Sequence, residues 1–499
     1  MMKKNLTIIF IVLLAIQLPS CKKFLELEPI SVATDQGFWK TGEEADASVA
    51  GIYALLRKSL NNAQGTNYFA YGDFPTPEFL PYLYGEDWGA ISEMNWATSI
   101  PLSADYRNMG KMRRFDSFYK VIDQANRCLK FIPNIPADKF TDKERGKNRL
   151  LGEAYFMRAF TYFYISRIWG DVPQVLETTD NPASSQELSR TPASEILAQC
   201  VKDIAAALPL MEYGYKNASN RAVRANKGSA FALLAHVYAW QQKYPECAIA
   251  ADSVIEKGGY SLIDSTQYLN IFRGQSSEGI FEIAQSADNE NSGTGSFFWG
   301  TLKAPYIPNS TIVNYRLDDL FLKELYAEDI TDIRRNKAFD FLNTPEPICI
   351  KYANVRLNTN AEDYVFKNNI IVFRLADIIL LKAEAMAASN NNNGQTRILL
   401  NQIRNKRGAN NSLVTDNKLF EEIISERARE LFMEGHYYYD LVRLAKQKAV
   451  YKFNNPLVFL PRRMNATEFL AGKYLWPLDP SLITKNRKLT QTPFWTGKL

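Results

Sequence analysis

The stretch ERARELFMEGHYYYDLVRL, Glu426–Leu444, packs Glu, Arg, His and Asp into nineteen residues. At helical spacing, Ile424, Ala428, Leu431, Gly435, Tyr438 and Val442 form one stripe. Arg427, Glu430 and Glu434 fall at i, i+3 and i+7 on a neighbouring face, a spacing that suits Arg–Glu pairing along a helix. An acid–base site would need a nucleophile, or a second carboxylate held across a cleft at a fixed distance. The stretch supplies neither. Its charges are therefore read as partly buried and paired to other helices, with no catalytic residue among them.

Other helical patterns lie on both sides. Thr41 and Glu44 form a T-x-x-E capping box ahead of Val49, Ile52, Tyr53, Leu56 and Leu60. A helix is predicted from about Phe115 to Ile132. A second capping box, Thr141 and Glu144, opens a long helix to about Trp169. Thr191-Pro192 starts another, with proline at the first helical position. Residues 224–257 and about 376–407 read as helical hairpins, and Leu234-Ala235-His236-Val237-Tyr238 and Leu151-Gly152-Glu153-Ala154-Tyr155 echo the tetratricopeptide core. Between 258 and 370 the period fails, Pro, Gly and Asn are frequent, and Gly279–Ile283 looks like a strand. The tail from about Asn454 is punctuated by proline and is expected to wrap the surface. The fold class is mainly α: a tetratricopeptide-like helical scaffold with a loop-rich, irregular second subdomain carrying short strands. The expected divisions are 1–20, 21–40, 41–257, 258–370 and 371–499.

The 499 residues are ample for a large core. The formal charge is +5, too small for a polyanion binder, so no nucleic acid is expected as partner. His236 and His436 stand far apart, and no two of the five cysteines have CxxC spacing. No metal and no cofactor is expected, and Cys128, Cys200 and Cys247 read as buried free thiols.

At the N-terminus, MMKKNLTIIFIVLLAIQLPSC has a basic start and an apolar run from Leu6 to Leu18. The run is short for a membrane span and has the layout of a secretory signal. It ends at Leu18-Pro19-Ser20-Cys21, which resembles a bacterial lipobox with Pro19 at a position usually held by a small residue. The expectation is cleavage before Cys21 and lipidation of that residue, leaving a folded body on a lipid tether.

Several long motifs, in order, carry a family resemblance. ERARELFMEGHYYYDLVRL resembles the E-R-x-x-E-L-x-x-E-G-x-R-x-x-D-L-x-R signature of the SusD/RagB family of outer-membrane nutrient-uptake lipoproteins, with Tyr437 in place of the usual Arg. GEAYFMRAFTYFYISRIWGDVPQV (152–175), FRLADIILLKAEAMAASN, LNQIRNKRGA and LWPLDPSLITKNRKLTQTPFW are similar to further blocks of that family. Arg487 stands where proline is usual, and the chain ends on Thr492-Pro493-Phe494-Trp495. The resemblance implies a non-enzymatic glycan-binding protein on the cell exterior, seated on a SusC-like TonB-dependent β-barrel transporter, with an oligosaccharide or polysaccharide ligand held by the loop-rich part.

Where a ligand would sit is read from composition. Ser59 to Tyr106 holds ten aromatics, six acids and no Lys or Arg. Aromatic planes can cover the C–H face of a sugar while carboxylates and amides meet its hydroxyls. Tyr82, Tyr84, Glu86, Asp87, Trp88, Asn95 and Trp96 are the candidates. The residues alone leave open whether these aromatics bind a ligand or pin a long loop to the core. The resemblance favours binding and adds a later loop with Phe298, Trp299 and Tyr306. A tetratricopeptide-type lipoprotein scaffold for proteins or peptide cargo is the alternative, and a glycoside hydrolase a third reading that lacks any motif pairing two carboxylates.

Overall fold

The computed structural model describes residues 38–61, 67–80, 87–98, 108–178, 187–285, 297–308, 310–326, 331–357, 364–447 and 464–499. The signal, Cys21, Tyr82, Tyr84 and Glu86 lie outside the described residues. The protein is mainly helical with few short strands.

Helix α1 (Gly42–Leu60) begins with the expected box. Glu44 N donates to Thr41 Oγ1 at 3.2 Å, and Thr41 N donates to Glu44 Oε2 at 2.8 Å. Helices α2 (Asp116–Phe131), α3 (Lys143–Trp169) and α4 (Ala193–Ala207) follow, α3 lying between its two neighbours. The box expected at Thr141 does not form. Asp142 is the N-cap without a side-chain cap bond, and its carboxylate instead takes Lys216 Nζ at 2.8 Å. Pro192 likewise sits one position before α4, and Asp171 Oδ1 accepts from Ala193 N at 2.7 Å.

The array continues through the hairpin α5 (Lys227–Trp240) and α6 (Tyr244–Lys257), then α7 (Leu375–Ala388), α8 (Asn393–Lys406) and α9 (Leu419–Glu430), each packed on an earlier helix. The loop-rich part lies between α6 and α7. It carries strands β1 (Gly279–Ile283), β2 (Phe339–Asp340), β3 (Ile348–Cys349), β4 (Val355–Leu357), β5 (Tyr364–Phe366) and β6 (Ile370–Arg374). They pair antiparallel as β1–β6, β2–β3 and β4–β5. The tail does more than wrap the surface. Trp476 N donates to Ile168 O at 2.7 Å, and the Trp476 ring is buried. Cys128, Cys200, Cys247 and Cys349 are free and buried.

The opening stretch is not one continuous helix. Helix α9 stops at Glu430, a turn spans 431–436, and α10 (Tyr437–Gln447) restarts. Met433 and Gly435 have φ of 55° and 79°, outside the range a helix permits. A side chain at Gly435 would also strike the Tyr68 ring.

The break redirects the charges, and none of the expected Arg–Glu pairs along the helix forms. Glu430 accepts from Arg334 Nη1 at 2.9 Å, Arg374 Nη1 at 2.7 Å and Arg407 Nη2 at 2.9 Å. Glu434 takes Arg374 Nε at 2.7 Å and Lys351 Nζ at 2.8 Å, while Glu278 shares Arg374 and Arg407. Arg427 turns to α7 and α10, meeting Asp377 at 2.9 Å and Asp440 at 2.8 Å. Arg443 holds Glu384 at 2.7 Å. All of these residues are buried. Burial pushes the Glu430 carboxyl upward, and Arg407, Arg374 and Arg334 reverse this and hold it well below the carboxylate range. Tyr437, where the resemblance has Arg, stacks near Phe321 with ring centres 6.0 Å apart.

Replacing Glu430 with Gln leaves three buried guanidinium groups short of a counter-charge. The expected loss is about 3–5 kcal/mol of stability, measured by urea unfolding. A loss within about 0.5 kcal/mol, the range of ordinary surface changes, would refute the network's structural role.

The two histidines give a pH dependence. His236 Nε2 lies 2.8 Å from Asp377 Oδ2, and the rings of His236 and His436 are 5.8 Å apart. Burial lowers both, His436 to about 4. The unfolded imidazole binds a proton near 6.5, so between these values the unfolded state holds more protons than the folded one. Stability is therefore full above about pH 6.5 and is lost as pH falls toward about 4, by about 3 kcal/mol for His436. Unfolding free energies at pH 7 and pH 5 should differ less in His436→Gln than in the wild type. An equal difference in both proteins would reject His436 as a source of the slope.

Candidate functional site

The two segments singled out in the sequence meet in space. Phe69 stacks on Phe297 with centres 4.0 Å apart, Phe74 lies 5.9 Å from Phe297, and Leu80 N donates to Arg316 O at 2.9 Å. The meeting is an interior one. Trp88 is 4% exposed and packs edge-on to Phe74 and Tyr315, at 5.2 and 5.7 Å. Trp96 is fully buried, stacks on Trp476 at 4.3 Å and donates from Nε1 to Ile91 O at 2.9 Å. Phe298 is buried against Tyr352 at 4.7 Å.

Three of the expected binding rings are thus core rings, and none offers a face that a sugar could cover. Distant partners cover them: the tail covers Trp96, and the 297–315 segment and Tyr352 cover the others. Trp88 and Trp96 also do not form a pair, since each packs into a different set of neighbours.

Three acids of the same window, Asp73, Glu78 and Asp87, also turn inward, while Glu93 is exposed. Asp73 accepts from Gly435 N at 2.8 Å, and Glu78 accepts from Met433 N at 3.4 Å. Both are fully buried, and burial pushes both carboxyls well above the ordinary range. They hold the turn that breaks the opening stretch. Asp87 is buried too and accepts from Met109 N at 3.3 Å, with burial raising its carboxyl. The lack of Lys and Arg in this window suits an inner wall made of aromatics and backbone-bonded acids.

Asn95, Trp299 and Tyr306 remain at the surface. Asn95 is exposed in the turn after the short helix Trp88–Ser92, and its carbonyl accepts from Thr98 N. Trp299 and Tyr306 are half-buried on one loop, 297–308. Tyr306 Oη donates to Asp340 Oδ2 at 3.0 Å, and burial together with Asp340 pushes its hydroxyl up to about 12. Beside it Lys303 sits over the Phe341 ring at 4.4 Å and faces Glu346 at 3.6 Å, which also meets Arg316 at 3.3 Å. This rim offers the partly exposed Tyr306 ring beside carboxylates and an ammonium, with the partly exposed Trp299 on the same loop, groups that can pack on and hydrogen-bond a sugar. Asp340 and Lys303 were not singled out in the sequence. Only the Tyr306 contact marks Asp340, and no local pattern foretells a contact 34 residues away. Among the described residues no group of three His, Cys, Asp or Glu could hold a metal ion.

Comparisons with known proteins agree across the chain. A family described as the SusD family matches residues 345–495, and one described as starch-binding and associating with the outer membrane matches residues 44–239. A SusD-like protein of Formosa agariphila is 28% identical, over 98% of both chains. Among solved structures, a SusD homolog from Bacteroides thetaiotaomicron is 27% identical, with a TM-score of 0.79 over 92% of this chain and 99% of the other. A laminarin-binding SusD-like protein shares the fold, with a TM-score of 0.71 at 21% identity over 91% of this chain and 99% of the other.

Since Trp88 and Trp96 are core rings, their replacement by Ala should cost about 3–5 kcal/mol each in unfolding experiments. Trp299→Ala should stay within about 1 kcal/mol, because its ring is only half-buried. Near-normal melting of Trp96→Ala would contradict the stacked, buried placement.

Proposed function

We propose a function from one premise: this chain belongs to the SusD-like family. That family consists of non-catalytic, carbohydrate-binding proteins associated with the outer membrane. On our reading the chain captures oligosaccharides at the cell surface, held there by lipid on Cys21, and passes them to a SusC-like TonB-dependent barrel. The observation that carries the ligand part is the rim of loop 297–308, where Trp299 and Tyr306 stay partly exposed and Tyr306 lies against Asp340. The charges of the signature stretch support the non-catalytic side, because each is already consumed by a buried partner.

One protein of this fold binds laminarin by its description, so a neutral glucan is the first probe to try. Calorimetric titration of the mature chain should show binding of a neutral oligosaccharide. Trp299→Ala should weaken it about tenfold, equivalent to about 1.4 kcal/mol, with stability kept within about 1 kcal/mol. The native protein should co-purify with a TonB-dependent barrel from outer membranes, and Cys21→Ala should leave the membrane fraction. Affinity for a verified glycan that is unchanged by Trp299→Ala and Tyr306→Ala would move the site elsewhere. Failure to bind any glycan would end the carbohydrate reading for this chain.

A further inference from the structure

On the helical array, away from the 297–308 rim, lies a cleft of about 740 Å³. It falls in the size range of small-ligand sites. The end of α5, the start of α4, the end of α10 and the tail build it, through Tyr238, Trp240, Gln241, Ser194, Lys446 and Tyr474. Lys446 Nζ sits over Trp240 at 4.0 Å and over Tyr474 at 5.4 Å. It makes no ion pair or hydrogen bond among the described residues, and burial, with Arg443 nearby, lowers its ammonium to about 8. It is therefore charged at neutral pH.

A second cation stands behind it. Arg167 is buried between the rings of Tyr439, at 4.1 Å, and Phe163, at 4.3 Å. It also has no carboxylate among the described residues, and its Nε has no partner. Tyr439 meets Trp240 edge-on at 6.1 Å, so one ladder of rings joins the two cations. The one carboxylate in the lining, Asp171, is engaged by Ala193 N. The segment that follows α10, residues 448–463, contains Lys448, Lys452, Arg462 and Arg463 but no Asp or Glu, so it cannot supply the missing charge. Gln241 Oε1 is a buried acceptor without a partner.

We propose that this cleft is a second carbohydrate site, one that takes a sugar bearing a carboxylate or sulfate group. Lys446 pairs with the anion, the half-buried Tyr474 packs on the apolar sugar face, Gln241 and the exposed Ser194 meet hydroxyls, and the buried Trp240 backs Lys446 from the core. A partly exposed aromatic ring beside a cation that has no carboxylate among the described residues favours a charged sugar over a bare anion, which needs no ring. The proposal rests on the carbohydrate-binding reading but uses none of the residues of the rim.

The test titrates the mature chain with tri-galacturonate, a glucuronate-terminated disaccharide, a sulfated disaccharide, neutral galactotriose and sodium sulfate, alongside the neutral glucan of the rim. At least one acidic sugar should bind ten times tighter than galactotriose or sulfate. Lys446→Met should remove at least tenfold of that affinity, Lys446→Arg should keep most of it, and neither should change neutral-glucan binding. Ser194→Asp is a second variant. It places an acid in the first turn of α4, which the helix favours, yet it should repel the acidic sugar. Binding of no acidic sugar, sulfate binding as tight as the sugars, or indifference to both Lys446→Met and Ser194→Asp would overturn the proposal. If the neutral glucan still binds in those cases, the proposal fails alone. If nothing binds, the carbohydrate reading itself has failed.

Discussion

Glu430 is the constraint on which the rest of the structure depends. Its carboxylate meets Arg334 from the loop-rich part, Arg374 from the end of β6 and Arg407 from the end of α8. These groups are remote in sequence and buried together, so the helical array and the loop-rich part are joined at a single ionic knot. Such a knot is costly to bury and is favourable only when every charge finds its partner. That requirement selects one arrangement among the many that hydrophobic burial alone would allow, because a shifted register would leave a guanidinium unpaired in the core.

The turn at 431–436 gives the knot its shape. Had α9 continued straight, Glu434 would have stayed on the helix face of Glu430. Instead the backbone reverses through Met433 and Gly435, and Glu434 reaches Lys351 and a second face of Arg374. Two acids from the base-free window, Asp73 and Glu78, hold the turn by its amides. A second knot, Arg427 with Asp377 and Asp440 and Arg443 with Glu384, then ties α9 and α10 to α7. The signature stretch is dense in charge because it serves two knots on either side of one turn.

Much of this was legible in the sequence, and the part that was not has a physical reason. Helices with a strong period or a good cap, such as α1, α2 and the two hairpins, appear where the pattern places them, because the information is local. That the charges of the stretch serve the fold was also legible, since no nucleophile accompanies them. Their partners were not, because Arg334 and Glu430 are brought together only by the tertiary fold. The same reason explains Trp88, Trp96 and Phe298. Proline and glycine around an aromatic ring indicate a loop, but whether the ring faces solvent depends on what covers it. For Trp96 the cover is Trp476, contributed by the tail. Exposure is a property of the whole chain, and composition read over a short window cannot supply it.

The division of labour that results bears on function. The scaffold keeps its charges inside, where Arg334, Arg374, Arg407, Arg427 and Arg443 each hold a carboxylate. None of these groups is then available to a ligand, and a ligand cannot easily disturb them. On the proposed reading, recognition is left to partly exposed rings and the polar groups beside them on loops, apart from the knots. Against that pattern, a cation without a carboxylate is informative. Among the described residues Arg113 is buried with backbone carbonyls alone as acceptors, while Arg167 lies between two rings and Lys446 against two more. Arg167 and Lys446 each gain cation–π attraction but keep their full charge unanswered. Where most buried charges are paired internally, an open one beside a cleft is where, on the proposal above, a counter-charge from outside would be held.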